Sequence, residues 1–248
     1  MKFSISAACK VGCVRQNNED MILVNDRFIR NSNHWTMVDT DAVDRYLIAL
    51  ADGMGGHNSG EVASSDVLHN LQYFFSDLPA GLKTGDFNEA IYEWLESINS
   101  IIDSKGHENA SYLDMGTTLV AMAYYGEQFY WMNCGDSRLY RQRDGVLLQI
   151  TTDHSLNTLM GKAEHTNIIT NCIGGGCKMS FIDMMQFQSG DVRSGDVFLL
   201  CSDGLSDMLD DDQICELLLN GADASKLCTS AEAAGGFDNV SACVIKIV

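Results

Sequence analysis

One stretch constrains this chain more than any other: Ile48 to Glu61, reading IALADGMGGHNSGE. Tyr46 to Ala51 is apolar at every position, so it reads as a core strand and not as one with a solvated face, and it delivers Asp52 at its exposed end. Gly53, Gly55, Gly56 and Gly60 follow, before a helical pattern begins. A turn without Cβ atoms can bring its carbonyl oxygens close to an ion or a phosphate. Alone, the stretch also fits an ordinary strand-to-helix loop with one solvated Asp, because Asp-Gly is a common turn pair. Repetition argues against that reading. Glu19-Asp20, Gly135-Asp136, Asp203-Gly204 and Asp238-Asn239 stand at the ends of apolar strands as well. Carboxylates gathered at one sheet edge repel each other, and a divalent cation is the remedy. Oxygen-only ligands favour Mg²⁺ or Mn²⁺ over zinc or copper.

The remaining pattern predicts an α+β fold, with antiparallel sheets and helices packed outside. Phe3 to Ala8 and Met21 to Asn25 read as strands, and Asn31 to Asp44 as a polar surface loop. A helix carries Val62, Ala63, Val67, Leu68, Leu71, Phe74, Phe75 and Leu78 at helical spacing and ends at Pro79, the only proline. A second is expected to open on an Asp86/Glu89 capping box, to bury Ile91, Trp94, Leu95, Ile98, Ile101 and Ile102, and to close at Gly106. Thr118 to Tyr125, Gln128 to Asn133, Leu139 to Gln142 and Val146 to Ile150 read as strands of an antiparallel meander with turns at Gly126-Glu127 and Asp144-Gly145. Further strands are expected at Ile182 to Gln188, Val197 to Cys201 and Val240 to Val248. Helices are expected after an Asp211 or Asp212 cap and through Leu227.

Composition excludes several functions. With 248 residues, 46% hydrophobic and 20% charged, the chain is read as one domain over residues 1–248. A net charge of −18, from 34 acids against 16 bases, argues against nucleic acid and against anionic membrane surfaces as partners. Nine cysteines without a CxxC pair, no signal peptide and no membrane-length apolar run lead to the expectation of a reducing cytoplasm. The six histidines are scattered, with only His154, in Thr152-Asp-His-Ser155, in a motif-like setting, which speaks against a zinc hydrolase.

The ordered motifs Arg15-x-x-Asn18-Glu19-Asp20, Asp52-Gly-Met-Gly-Gly-His57, Gly116-Thr-Thr118, Gly135-Asp-Ser-Arg138, Asp153-His-Ser155, Ser202-Asp-Gly204 and Asp238-Asn239 span nearly the whole chain. Each is weak singly, and the set resembles the metal-dependent Ser/Thr protein phosphatase family PPM, or PP2C, in its bacterial branch. The resemblance implies a central β-sandwich of two antiparallel sheets flanked by pairs of helices, with a binuclear Mg²⁺/Mn²⁺ centre at one end. It further implies that Asp52 bridges two ions, that the Gly53 carbonyl binds one and Asp203 and Asp238 the other, and that Glu19 and Asp20 act through metal-bound waters. Two cations roughly 3.5 to 4 Å apart make a bridging water hydroxide-like near neutral pH. Arg15 would hold the phosphate, a task suited to a planar guanidinium. Asp136 and Asp207 match positions that hold an additional metal.

The sequence departs from the family pattern in two places. Some members carry a general-acid histidine directly after the Asp-Gly; here Met54 stands there and His57 comes three residues later. The flap segment from His154 to Gly174 is also shorter than in typical bacterial members. The reading is a monomeric cytoplasmic phosphatase of phosphoserine and phosphothreonine in proteins, partnered with a Ser/Thr kinase and its targets. The alternatives are a non-catalytic phosphatase-like binding domain and a phosphatase of small phosphorylated molecules.

Overall fold

Tyr46 to Ala51 is apolar throughout because its strand has two buried faces. In the computed structural model, which describes residues 1–55, 59–161, 168–177 and 179–248, Leu47, Ala49 and Ala51 face one core and Tyr46, Ile48 and Leu50 face another. The chain begins with strands β1 (Lys2–Lys10), β2 (Met21–Val24), β3 (Arg27–Ile29), β4 (Ser32–Asp39), β5 (Arg45–Ala51) and β6 (Gly53–Met54), then helices α1 (Ser59–Asp77) and α2 (Thr84–Glu108). Strands β7 (Gly116–Thr117), β8 (Leu119–Tyr125), β9 (Gln128–Cys134), β10 (Arg138–Arg143) and β11 (Val146–Gln149) follow, and then the short α3 (Leu156–Met160). Strands β12 (Ile173–Gly174), β13 (Asp183–Gln186) and β14 (Val197–Cys201), helices α4 (Asp203–Ser206), α5 (Asp211–Leu219) and α6 (Ala224–Ala233), and strand β15 (Val240–Ile247) complete the fold.

Two six-stranded sheets, ordered β13-β9-β8-β5-β2-β3 and β11-β10-β14-β15-β1-β4, lie face to face, and a small sheet β12-β7-β6 sits beside them. Phe3, Ile5, Ile22, Ile48, Leu200 and Ile245 fill the space between the large sheets. Leu68, Leu71, Ile91 and Ile98 cover the outer face of the first sheet from α1 and α2, and Ile214, Leu218 and Leu227 cover the second from α5 and α6. The expected α+β sandwich with outer helix pairs is therefore the fold observed. No described helix is long and apolar enough to cross a membrane.

Five local expectations are corrected. Asn31 to Asp44 is not a loop: Ser32 to Asp39 pairs with β1 from Cys9↔Ser32 to Lys2↔Asp39. Along this edge strand burial alternates, but of its apolar residues only Val38 is buried while Trp35 and Met37 are exposed, so the sequence does not mark the buried face. Helix α2 starts at Thr84, whose hydroxyl donates to Gln186 Oε1 at 2.7 Å, and Asp86 lies in its first turn without forming a capping box. Ile101 on the same helix is exposed. The α5 cap is Asp210, reciprocated by Gln213, and not Asp211 or Asp212. The strands from 119 to 149 are not one meander. Gly126-Glu127 and Asp144-Gly145, all at positive φ, do close hairpins β8-β9 and β10-β11, but the two hairpins belong to different sheets. The chain passes between the sheets at residues 135–137, which carries Asp136 to their shared edge.

Candidate active site

The strand registers bring every acidic strand end to that edge. Ala51 pairs with Met21, Arg138 with Cys201 and Val240 with Lys10, so Asp20, Asp52, Asp136, Asp203 and Asp238 all leave the sandwich on one side. Asp52 is fixed through its backbone. Its N–H donates to Thr118 Oγ1 (3.0 Å), and its carbonyl accepts from the Thr118 N–H (2.9 Å) and the Thr117 hydroxyl (2.8 Å). Gly53 N–H donates to the Glu19 carbonyl at 3.2 Å. A Cβ on Gly53 would stand 2.1 Å from the Gly60 carbonyl oxygen, so only glycine lets the first turn of α1 approach the turn after Asp52 this closely.

Small polar side chains lock the other strand ends. Asn239 Oδ1 accepts from the Glu19 N–H at 2.8 Å, while its Nδ2 donates to the Val11 and Asn17 carbonyls, each at 2.9 Å. Ser202 donates to Asp20 Oδ2 at 2.8 Å, and its Oγ accepts the Ser241 N–H at 3.1 Å, which joins the two sheets at the site. Arg30 donates to the Asp20 carbonyl (2.9 Å), to Glu61 Oε1 (3.1 Å) and to the Ser64 hydroxyl (2.8 Å). Asn239 and Ser202 stand inside motifs that mark them. Arg30 stands in none, and nothing in the sequence signals its part.

The carboxylates oppose one another's charge. Asp20 is fully buried, and burial first, partly offset by the hydroxyl of Ser202, pushes its carboxyl up to about 6. Asp52 is raised well above the ordinary carboxylate range by burial and then by the charges of Asp20, Asp203, Asp136 and Asp238. Burial and the charges of Asp136 and Asp207 push Asp203 up to about 8, and burial with Asp153 pushes Asp136 to about 6. Glu19 is raised by burial, against the pull of Arg15. Two buried oxygens, Asp20 Oδ1 and Asp136 Oδ1, have no hydrogen-bond partner. An oxygen-only cluster with orphaned lone pairs and mutual repulsion fits hard dications such as Mg²⁺ or Mn²⁺. Among the described residues, however, no three ligands already converge as a finished coordination sphere. Arg15, half-exposed, places its guanidinium 2.6 Å from Asp238 Oδ2.

The additional pair is adjacent to this cluster. Asp207 is exposed, and its N–H donates to the Asp203 carbonyl at 2.7 Å. Arg138 forms a two-pronged ion pair with Asp153, at 2.7 to 3.0 Å. His154 is buried; its Nδ1 accepts from the Gly135 N–H (3.0 Å), and its Nε2 lies 3.0 Å from Asp183 Oδ2. His57 lies outside the described residues, as do residues 162–167 of the flap. The described part of the flap presents Leu159 and Met160 to solvent and ends α3 at Gly161 in the left-handed region.

The sequence pattern of the family described as protein phosphatase 2C matches residues 32–230. The protein phosphatase PhpP of Streptococcus pneumoniae is 32% identical over 98% of this chain and 97% of its own length. The serine/threonine protein phosphatase PstP of Mycobacterium tuberculosis is 34% identical over 96% of this chain but only 43% of its own length, so the chain spans less than half of that relative. The crystal structure of the PstP catalytic domain in complex with two manganese ions superposes with a TM-score of 0.74 at 32% identity, covering 100% of both chains. The Streptococcus agalactiae serine/threonine phosphatase gives a TM-score of 0.83 at 28% identity, covering 99% of this chain and 100% of its own.

Proposed function

The chain belongs to the protein phosphatase 2C family, and on that premise we propose that it hydrolyses phosphoserine and phosphothreonine in proteins, using two Mg²⁺ or Mn²⁺ ions. The observation that carries this reading is the convergence of Asp20, Asp52, Asp136, Asp203 and Asp238 at one edge of the sandwich, where burial and neighbouring charge raise the carboxyls of Asp20, Asp52, Asp136 and Asp203 and two buried oxygens are left without a partner. When bound, the dications supply Lewis-acid activation of water for attack on phosphorus.

The chain's own residues do the rest. Asp52, its backbone fixed by Thr117 and Thr118, would be shared by the two ions. The Gly53 carbonyl, Asp203 and Asp238 would be further ligands, while Glu19 and Asp20 would orient water around them. Asp136 and Asp207 would hold the additional ion. Arg15, on an exposed loop, clamps the phosphate oxygens with a permanent charge. Protein substrates, among them the targets of a Ser/Thr kinase, are the reading that the similarity to relatives named serine/threonine phosphatases supports.

Phosphate release from a phosphothreonine peptide, measured with Mn²⁺ and again with excess chelator, tests the reading. Release with metal and none with chelator is expected. No release at saturating Mn²⁺ would overturn it.

A further inference from the structure

Three cysteines meet beside the small sheet. Cys172 is buried immediately before β12, and its thiol and the Cys177 backbone share one acceptor in the turn between them. Cys134, at the end of β9, lies close enough to feel both. Cys177 is half-exposed, and all three are free thiols. Between the pair, Gly174, Gly175 and Gly176 take φ values of +75°, +60° and +74°, a left-handed run that folds the chain back on itself. The Gly174 carbonyl accepts from the Cys177 N–H at 2.9 Å and from the Cys172 thiol at 3.4 Å. Asn99 of α2 holds the turn at both ends: its Oδ1 accepts from the Gly174 N–H (2.7 Å), and its Nδ2 donates to the Cys177 carbonyl (3.2 Å).

We propose that Cys172 and Cys177 form a second reactive site, a dithiol that takes a peroxide-class oxidant and closes to a disulfide. The more accessible Cys177 sulfur attacks one peroxide oxygen. An S–O bond forms as the O–O bond breaks, and the second oxygen leaves with the thiol proton as water. The Cys172 sulfur then attacks the Cys177 sulfur; the S–S bond forms, the S–O bond breaks, and hydroxide takes the Cys172 proton as a second water. Two thiols lose two electrons in all, and one peroxide becomes two waters. Burial pushes the Cys172 thiol up to about 12, so its attack, which needs the thiolate, is the slow step of the closure.

The site is wired to the Asp52 centre. Strand β12 pairs with β7 through Ile173↔Thr117 and Gly174↔Gly116, and β7 pairs with β6 through Gly53↔Thr117 and Met54↔Gly116. Thr117 in turn donates to the Asp52 carbonyl. The turn has little slack, since a Cβ on Gly175 would stand 2.9 Å from Cys172 Sγ and 3.8 Å from Met54 Sδ. Drawing the sulfurs to about 2.05 Å pulls on this small sheet and shifts the backbone that carries Asp52.

The test treats the whole chain with hydrogen peroxide in the presence of Mg²⁺, which, unlike Mn²⁺, has no redox chemistry of its own. Non-reducing peptide mapping by mass spectrometry should find the loss of two hydrogens confined to the Cys172–Cys177 segment, reversed by dithiothreitol and absent in Cys177→Ser. The initial rate with phosphothreonine peptide should fall on the order of tenfold in the wild type and not in Cys177→Ser. Oxidation of Cys13 or Cys215 with Cys177 left intact, or a Cys134–Cys172 bridge, overturns the site. A Cys172–Cys177 disulfide that leaves the rate unchanged overturns the wiring. The rate arm rests on the phosphatase reading and the mapping arm does not, so a chain that releases no phosphate still decides whether the disulfide forms.

Discussion

Arg15 reaches Asp238 at 2.6 Å, so the residue assigned to substrate phosphate neutralises a residue assigned to metal. From the motif alone, Arg15→Ala is expected to raise KM and leave metal affinity unchanged. The ion pair changes that expectation, because a guanidinium and a dication compete for one carboxylate. Arg15→Ala should raise KM for a phosphothreonine peptide and also tighten Mn²⁺ binding, by roughly two- to fivefold for a half-exposed pair. Calorimetric Mn²⁺ titration of the two proteins checks it, and weaker binding by the variant would assign Arg15 a supporting role at the metal instead. Asp52→Asn should behave otherwise. A neutral amide cannot bridge two dications, and a loss of about 4 kcal/mol of barrier stabilisation is on the order of a thousandfold in kcat, with the melting profile retained. Near-wild-type turnover at saturating Mn²⁺ would remove Asp52 from the centre. Residues such as Asp52 were legible because a carboxylate that ends an apolar run is visible without knowing the fold. Arg30 was not, since its contacts to Asp20, Glu61 and Ser64 come from segments far apart in sequence.

At the scale of elements, the joint between β14 and α4 is the tightest part of the site. A Cβ on Gly204 would stand 1.9 Å from the Asn239 carbonyl oxygen, so Gly204→Ala must push α4 away from the start of β15. That moves Asp203 against Asp238 while leaving both large sheets intact. Circular dichroism should be unchanged, Mn²⁺ affinity should fall roughly tenfold and kcat more steeply. Unaltered affinity would mean that the joint relaxes without cost. Strands such as β5 and β14 could be read from sequence because both of their faces are buried, which demands apolar residues at every position. Edge strand β4 could not, and neither could the assignment of β8-β9 and β10-β11 to separate sheets, because a hairpin turn specifies its own two strands and says nothing about which layer they join.

At the scale of the whole molecule, the raised carboxyls set a pH dependence. Asp20 and Asp136 at about 6 and Asp203 at about 8 keep protons in the fold that the unfolded chain releases near pH 4. Across that interval the native state binds more protons, so the metal-free protein loses stability as pH rises from about 4 to about 8. The melting temperature in chelator should be lower at pH 8 than at pH 5, and saturating Mn²⁺ should raise it by roughly 5 °C at pH 8 and by less at pH 5. A chelated protein whose melting temperature climbs over this range, with no response to Mn²⁺, would contradict the cluster's electrostatics. The placement of these groups has a mechanical consequence too. Asp20 and Asp52 hang from one large sheet, and Asp203 and Asp238 from the other. An ion shared among them is a rivet through two plates that otherwise touch at this edge through a few hydrogen bonds, Ser202 to Asp20, Glu19 to Asn239 and Asn239 to Asn17 among them. Drawing the rivet should let the plates part there first, and amide hydrogens at Met21, Ala51 and Val240 should exchange faster on chelation while those at the opposite end of the sandwich keep their protection.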